Sequence, residues 1–322
     1  MKSKLELVND CDRSVPCAQL RASADSSCRF SPNSDPSFLY QFLINGYACP
    51  FGYLLESTVS TFSWPGCWSL DHEKKTVKLL GSSLEERNKQ VHDTPVAERD
   101  RGSFKVLEGW TSEVFSVHGP HKEVVLSIPR VAAPLFGIVT YGVQLLAYQS
   151  DPGDGGFSIW IARRAKNKRR YPNMLDSTVG GSLPTGETPL ECLVRESAEE
   201  ASFSEELIRT RAKACGTVNY VFRTDERAGG ELGLFTPEVQ FTYEMELPKD
   251  AIPTPGDNEA EEITLMSIEQ IKTALEKGEF TPAHGCIVLD FFIRHGILTY
   301  ENEKDYIEIA SRLHRTHAFP TA

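Results

Sequence analysis

No two of the eight cysteines stand in a Cys-x-x-Cys pair, which excludes a zinc knot or redox dithiol built on that spacing. The thiols at Cys11, Cys17, Cys28, Cys49, Cys67, Cys192, Cys215 and Cys286 are scattered. Several precede residue 70, which leaves a disulfide there conceivable, but scattered free thiols of a reducing compartment are the reading adopted. No run approaches the ~20 apolar residues that span a bilayer, so no membrane partner is expected. The stretch MKSKLELVNDCD has neither the apolar centre of a secretory signal nor the Arg/Ser-rich composition of a transit peptide, and the expected location is cytoplasmic. Positive charge is in deficit: 34 Lys and Arg against 45 Asp and Glu leave a net charge of −11. That balance excludes a nucleic-acid binder that works by overall charge. An acidic chain that handles an anionic substrate must concentrate its basic residues locally or recruit metal ions. Repeats and low-complexity tracts are missing too, and nothing in the sequence sets an oligomeric state.

What is present is ordinary globular material. With 322 residues, 40% of them hydrophobic, the chain has length for about two domains and the expected class is α+β. The first module, residues 1–130, opens with a short helix and a Ser/Asp/Pro-rich loop. FLYQFLINGYACPFGYLL (38–55) follows, read as strands around an Asn45-Gly46 turn. SLEERNKQVHD (83–93) reads as a helix, and FKVLEGW (104–110) and EVFSVHG (113–119) as strand and turn. The second module, 131–322, begins with a β-rich stretch at 134–149 that forms a hairpin with FSIWIARR (157–164), where Phe157, Ile159 and Ile161 share a face. Further strands are expected at 214–223, 238–247 and 262–267, and helices at 268–277 and 286–295.

The chemistry concentrates in GGSLPTGETPLECLVRESAEE (180–200). Thr188 can cap a helix, Pro189 fits its first position, and Glu191 completes a capping-box pattern. At 100° per residue Glu196, Glu199 and Glu200 share about a third of the helix circumference. Leu190, Val194, Ser197 and Ala201 are left to pack on a sheet. Arg195 stands four residues from both Glu191 and Glu199, within reach of either. Clustered carboxylates call for a hard cation, Mg²⁺ or Mn²⁺, which takes oxygen ligands and works beside substrate phosphates. The glycines Gly180 and Gly181 let a backbone carbonyl approach. Most Glu-rich helix faces are merely solvated, but six fixed positions at typical residue frequencies coincide by chance in such a chain only about 10⁻⁵ of the time.

Those positions, Gly181, Glu187, Arg195, Glu196, Glu199 and Glu200, spell the Nudix box, Gly-x5-Glu-x7-Arg-Glu-U-x-Glu-Glu-x-Gly-U, with U bulky and aliphatic. Ser197 and Ser202 depart from it, and Phe203 replaces an aliphatic residue by an aromatic one. With the flanking RRAKNKRRYPNMLDSTVGGSL, RTDERAGGELGLFTPEVQFTY, LDFFIRHGIL, GWTSEVFSVHGP and PLFGIVTYGV, nearly the whole chain resembles the fungal and plant Nudix proteins of the thiamin pyrophosphokinase-related type. The resemblance implies a Nudix α/β/α sandwich behind a small N-terminal α+β domain. It also implies Mg²⁺-dependent cleavage of thiamine diphosphate or its damaged oxo and oxy analogues to monophosphates. By the same resemblance Glu196, Glu199 and Glu200 are metal ligands, with the Gly180 carbonyl beside them. Arg195 orients Glu196, Glu187 supports the loop or a further metal, and a carboxylate outside the box assists, for which Glu238 and Glu231 are both candidates.

The run Arg163–Arg170 holds six positive residues in eight, and Arg164 and Lys168 are the candidates to grip a diphosphate. Their spacing to Pro172 is similar to the phosphate-binding segment of Nudix isopentenyl diphosphate isomerases. The alternative for the run is a solvated loop. Trp64, Trp68, Trp110 and Phe115 are read as core rather than as a ring-stacking site, and His284 and His295 as structural. Two other functions stand beside the first: a prenyl diphosphate hydrolase, which calls for an apolar groove, and a non-catalytic nucleotide or cofactor sensor.

Overall fold

The computed structural model describes residues 1–13, 39–151, 156–256 and 258–322. The loop SPNSDPS, Cys17, Cys28 and the interior of the turn after Asp151 lie outside the described residues. In chain order the elements are α1 (Lys4–Cys11), β1 (Leu39–Ile44), β2 (Gly52–Leu55), α2 (Glu56–Thr61), β3 (Trp68–Asp71), β4 (Thr76–Leu79), α3 (Leu84–Asp100), β5 (Val114–His118), β6 (Val124–Pro129) and α4 (Ala133–Phe136). They continue with β7 (Thr140–Asp151), β8 (Gly156–Arg164), β9 (Leu175–Asp176), β10 (Val179–Ser182), α5 (Pro189–Ala201), α6 (Glu205–Arg211), β11 (Lys213–Arg223) and β12 (Phe235–Glu246). The last are β13 (Ala260–Ser267), α7 (Ile268–Lys277), α8 (Pro282–Arg294) and α9 (Tyr306–Leu313).

The first sheet runs β2-β1-β4-β3. β1 and β2 are antiparallel around Asn45-Gly46, with Gly46 at φ +88°, as the Asn-Gly pair foretells. Its core of Phe42, Trp68 and Phe136 continues onto α3 and the hairpin β5–β6. Trp68 and Phe115 are buried there, and Trp64 and Trp110 pack against it, as expected for core aromatics. Two local expectations fail. FKVLEGW forms a 3-10 turn at 105–109 instead of a strand. The carboxylate of Glu231, from the second module, accepts the N–H groups of Lys105 and Val106 at its start. Residues 133–136 form a helical turn rather than strand. It ends at Gly137 (φ +60°), where a Cβ would stand 2.1 Å from the Tyr53 carbonyl; only glycine allows that approach.

The second sheet runs β11-β12-β7-β8-β13, with β10 pairing β7 and β9 pairing β8. β7 and β12 are parallel, and the other pairs are antiparallel. Strand alternation sends Val143, Leu145 and Ala147 to one face under α5 and α6, and Leu146 and Tyr148 to the other under α1, α7 and α8. That arrangement is an α/β/α sandwich. Helix ends follow local chemistry: Ser267 and Gln270 form a capping box for α7, which stops at Gly278 in the left-handed region. Among the described residues no helix is long and apolar enough to cross a membrane. Cys11, Cys67, Cys192, Cys215 and Cys286 are free thiols.

α1, placed with the first module by its position in the chain, packs instead with α8 and α9 in the second module's core. Leu7, Val8 and Cys11 carry that packing, and the helix ends in a buried charge. Asp12, at the end of α1, accepts from Arg315 at 2.7 and 2.9 Å and from Arg312 at 3.3 Å. Its Oδ1 also accepts the Val221 N–H at 3.0 Å. Removing one partner of such a group strands the others in the interior. Asp12→Ala should therefore lower the free energy of unfolding by ~3–5 kcal/mol, read from the urea midpoint.

Candidate active site

α5 is the scaffold. Thr188 caps it by accepting the Glu191 N–H at 3.3 Å, and Pro189 occupies the first turn. The box does not close as expected, because the Glu191 carboxylate turns to Arg209 on α6, at 2.6 and 3.0 Å. Arg195 is therefore free of Glu191. It makes a two-point pair with Glu187 at 2.9 and 3.0 Å and donates to Glu196 at 2.9 Å and to Glu199 at 3.3 Å.

The glutamates do not all project away from the core as the helical wheel suggests. Glu199 is half exposed, whereas the Glu196 side chain is only 15% exposed and lies over β10. A Cβ on Gly181 would sit 2.1 Å from the Glu196 carboxyl carbon, and one on Gly180 2.6 Å from the Gln144 amide oxygen. The glycine pair leaves room for the two side chains that lie on it. Glu200 reaches the same strand and accepts the Gly180 N–H at 2.9 Å. Burial pushes the Glu196 carboxyl up to about 7 against the opposing pull of Arg195. Burial also drives Glu200 well upward, and Asp176, Glu196 and Glu259 add to it. These are carboxylates short of positive charge.

The two departures from the box have local readings. Ser202 adopts φ +56° at the end of α5, the left-handed conformation for which glycine is favoured, and its Oγ donates to the Thr254 carbonyl at 3.1 Å. Ser197 is fully buried, and its hydroxyl has no partner among the described residues.

These groups open on a cleft of about 510 Å³. Its walls come from the second sheet, from the loop 164–171 and from the first module, through Glu113, Phe115 and Arg130. Of the two candidate outside carboxylates, Glu238 lines the cleft, while Glu231 is occupied at the 105–109 turn. The basic run is mostly paired. Arg163 meets Glu262, Lys166 Glu261, Lys168 Glu259 at 2.5 Å, and Arg169 Glu108. Arg164 is bound to Asp176 at 2.7 Å and to the Arg170 carbonyl. Among the described residues, Arg170 is the cleft-lining cation without a carboxylate partner.

Sequence reasoning passed over Asp176, Gln144, Gln240 and Glu259, which also line the cleft. A buried Asp in an otherwise apolar two-residue strand was the available signal for Asp176. His284 sits beside it, its Nε2 2.6 Å from Asp176 Oδ1 and its Nδ1 2.5 Å from Thr281 Oγ1. His295 stacks on Phe291 and pairs with Glu244 at 2.9 Å, a structural place.

The model of the NUDIX domain matches residues 142–286, and that of a domain of unknown function, DUF4743, matches residues 26–140. An uncharacterized protein of Saccharomyces cerevisiae, YJR142W, is 32% identical over 280 residues, covering 86% of this chain and 82% of the yeast protein. The chain belongs to the Nudix hydrolase family. Among its family relatives, Nudix hydrolase 20, chloroplastic, of Arabidopsis thaliana is 34% identical over 240 residues, 74% of this chain. The chain spans 60% of that plant protein and 62% of Nudix hydrolase 24, chloroplastic, of the same plant. A solved structure, DR0079 from Deinococcus radiodurans, aligns with TM-score 0.38 at 23% identity, covering 52% of this chain and 92% of that one.

Asp176 gives this family member an acid-sensitive point. Burial raises its carboxyl, but His284 and Arg164 outweigh burial and hold it down at about 2. A lowered carboxyl stabilises the fold above its unfolded value near ~4, and that contribution is lost as pH falls towards ~2. Urea unfolding across this window should show stability falling with acid. Asp176→Asn should be less stable at neutral pH and show a shallower fall.

Proposed function

We propose that the protein is a diphosphohydrolase that cleaves a small organic diphosphate to the monophosphate and phosphate. Thiamine diphosphate or its damaged oxo and oxy analogues are the favoured substrates. The observation that carries the reading is the pair of partly buried carboxylates, Glu196 and Glu200, folded against Gly180-Gly181 on one wall of a cleft large enough for such a molecule. Carboxylates so short of positive charge fit a hard dication.

Glu196, Glu199, Glu200 and the Gly180 carbonyl would hold Mg²⁺ or Mn²⁺. Among the described residues no three acidic, His or Cys side chains close into a cage of their own. Mg²⁺ keeps several waters and shares substrate phosphates, so it asks for only one or two carboxylates from the protein. When bound, the ion would polarise a phosphoryl oxygen and acidify a water. The chain's own groups do the rest. Arg195 fixes Glu196 and, through Glu187, the loop before α5. Of the two outside candidates, Glu238 is the one that lines the cleft.

Thiamine is favoured over a prenyl chain by the lining, where amides and carboxylates stand among Phe115, Tyr141, Tyr171 and Phe222; a prenyl groove would be apolar. The retained glutamates weigh against a non-catalytic sensor. Residues 1–130 would shape substrate choice through Phe115 and Arg130, with the module boundary near residue 130 and α1 as an outlier. Glu196→Gln should leave the fold intact and lower turnover by at least ~10²; wild-type turnover in saturating Mg²⁺ would overturn the assignment.

The pairing of the basic run shifts the expected phosphate contact. Arg164 and Lys168 line the cleft, but Asp176 and Glu259 offset their charge, whereas Arg170 is uncommitted. Arg170→Ala should raise KM for any accepted diphosphate by ~10-fold or more, the loss of one charge-assisted hydrogen bond. Steady-state kinetics with Arg164→Ala alongside tests the order: a larger KM effect from Arg164 would reverse it.

A further inference from the structure

The face of the second sheet beneath α8 changes character along its strands. Under the helix it presents Leu146, Tyr148 and Val218, all buried in the apolar core. Two residues before Leu146, on the same face, stands Gln144. Gln240 is the register partner of Val218, and Glu238 that of Tyr220. Where the sheet leaves the helix and enters the cleft, the row turns polar. Gln144 and Gln240 are each only 6% exposed, and burying two amides is costly unless they serve a purpose.

The hydrogen bonds run in one direction. The Tyr220 hydroxyl donates to Glu238 Oε2 at 2.7 Å, and Gln240 Nε2 donates to the same oxygen at 2.9 Å. A carboxylate only accepts, so Gln240 must turn its NH₂ towards it and its carbonyl the other way. Gln144 Nε2 donates to that carbonyl at 3.2 Å. Gln144 Oε1 is left at the free end, buried and with no donor among the described residues. Glycines make the space: a Cβ on Gly142 would stand 2.4 Å from Gln240 Oε1, and one on Gly180 2.6 Å from Gln144 Oε1. The chain of amides is thus polarised by Glu238 at one end and ends in an unpaired acceptor beside Gly180, the residue next to the carboxylates.

We infer that Gln144 and Gln240 form a recognition floor for the organic half of the substrate, accepting a hydrogen bond from an N–H group of a planar heterocycle. The inference rests on the diphosphohydrolase reading above and adds the group by which the substrate is chosen. A ring N–H or amino group satisfies Gln144 Oε1, while a hydrocarbon chain leaves it buried and unpaired, at a cost of about one to two orders of magnitude in affinity. Aromatic side chains lining the same cleft, Tyr141 and Phe222 among them, suit a flat ring.

The test uses the full chain with Mg²⁺ and two probes, thiamine diphosphate and geranyl diphosphate, on wild type, Gln144→Leu and Gln240→Leu. Gln144→Leu removes the acceptor; Gln240→Leu removes the group that orients it, so one folded variant suffices. A fall of ~10–100-fold in kcat/KM for thiamine diphosphate, carried by KM, is expected, with geranyl diphosphate changed by no more than about threefold. An equal loss on both probes, or no loss on either, overturns the inference. If the wild type hydrolyses neither probe, the choice of thiamine diphosphate as substrate is what has failed. Calorimetric binding of thiamine monophosphate then tests the floor alone: weaker binding to Gln144→Leu than to wild type supports it, and equal or undetectable binding to both overturns it.

Discussion

The bond from Arg195 to Glu187, Glu196 and Glu199 is the interaction on which the site depends. Carboxylates on successive turns repel, and burying one of them against a backbone would be prohibitive without a nearby cation. One planar guanidinium, with donors on several edges, serves all three. It seats Glu196 over Gly181. Through Glu187 it also pins the loop that delivers the chain from β10 to α5, so strand, loop and helix are tied at one point. Lysine, a single-point donor, would not span that geometry.

Much of this was legible in the sequence because the relevant spacing is local. The 180–203 pattern specified helix, cap, glycine pair and carboxylate cluster without reference to anything distant. The apolar strand β8, covered on both faces, was legible for the same reason. What could not be read depended on partners far along the chain. Glu191 was within reach of Arg195, but Arg209, brought alongside by α6, binds it instead. The basic run at 163–170 looked like an open anion site, but acidic residues from 108 and 259–262 meet most of it. Glu238 and Glu231 were equivalent on paper until the fold sent one to the cleft and the other to the 105–109 turn. Gln144 and Gln240 gave no signal at all, because an amide in a strand reads as a surface residue unless its neighbours are known.

The two modules are joined by more than a linker. A small core of Leu39, Tyr53, Val139, Tyr141, Phe235 and Phe319 spans both, and the Thr185 N–H in the loop before α5 donates to the Val114 carbonyl at 2.9 Å. The catalytic-side loop is therefore supported from the first module, and the cleft has a wall that the second module does not supply. Arg130 approaches Glu196 closely enough to counter, in small part, the effect of its burial.

The buried Asp12 has a consequence for the order in which the protein is made. Its arginine partners lie some 300 residues later in the chain, and eight residues of α1 are too few to hold a helix unaided in water. On the ribosome that contact must wait until Arg312 and Arg315 have emerged, while the module between Asp12 and those arginines already has strands enough to form its own sheet. The second module is then completed by its most distant contact, one of high sequence separation and slow closure. Until it closes, the apolar surface that α8 presents to Leu7, Val8 and Cys11 stands uncovered.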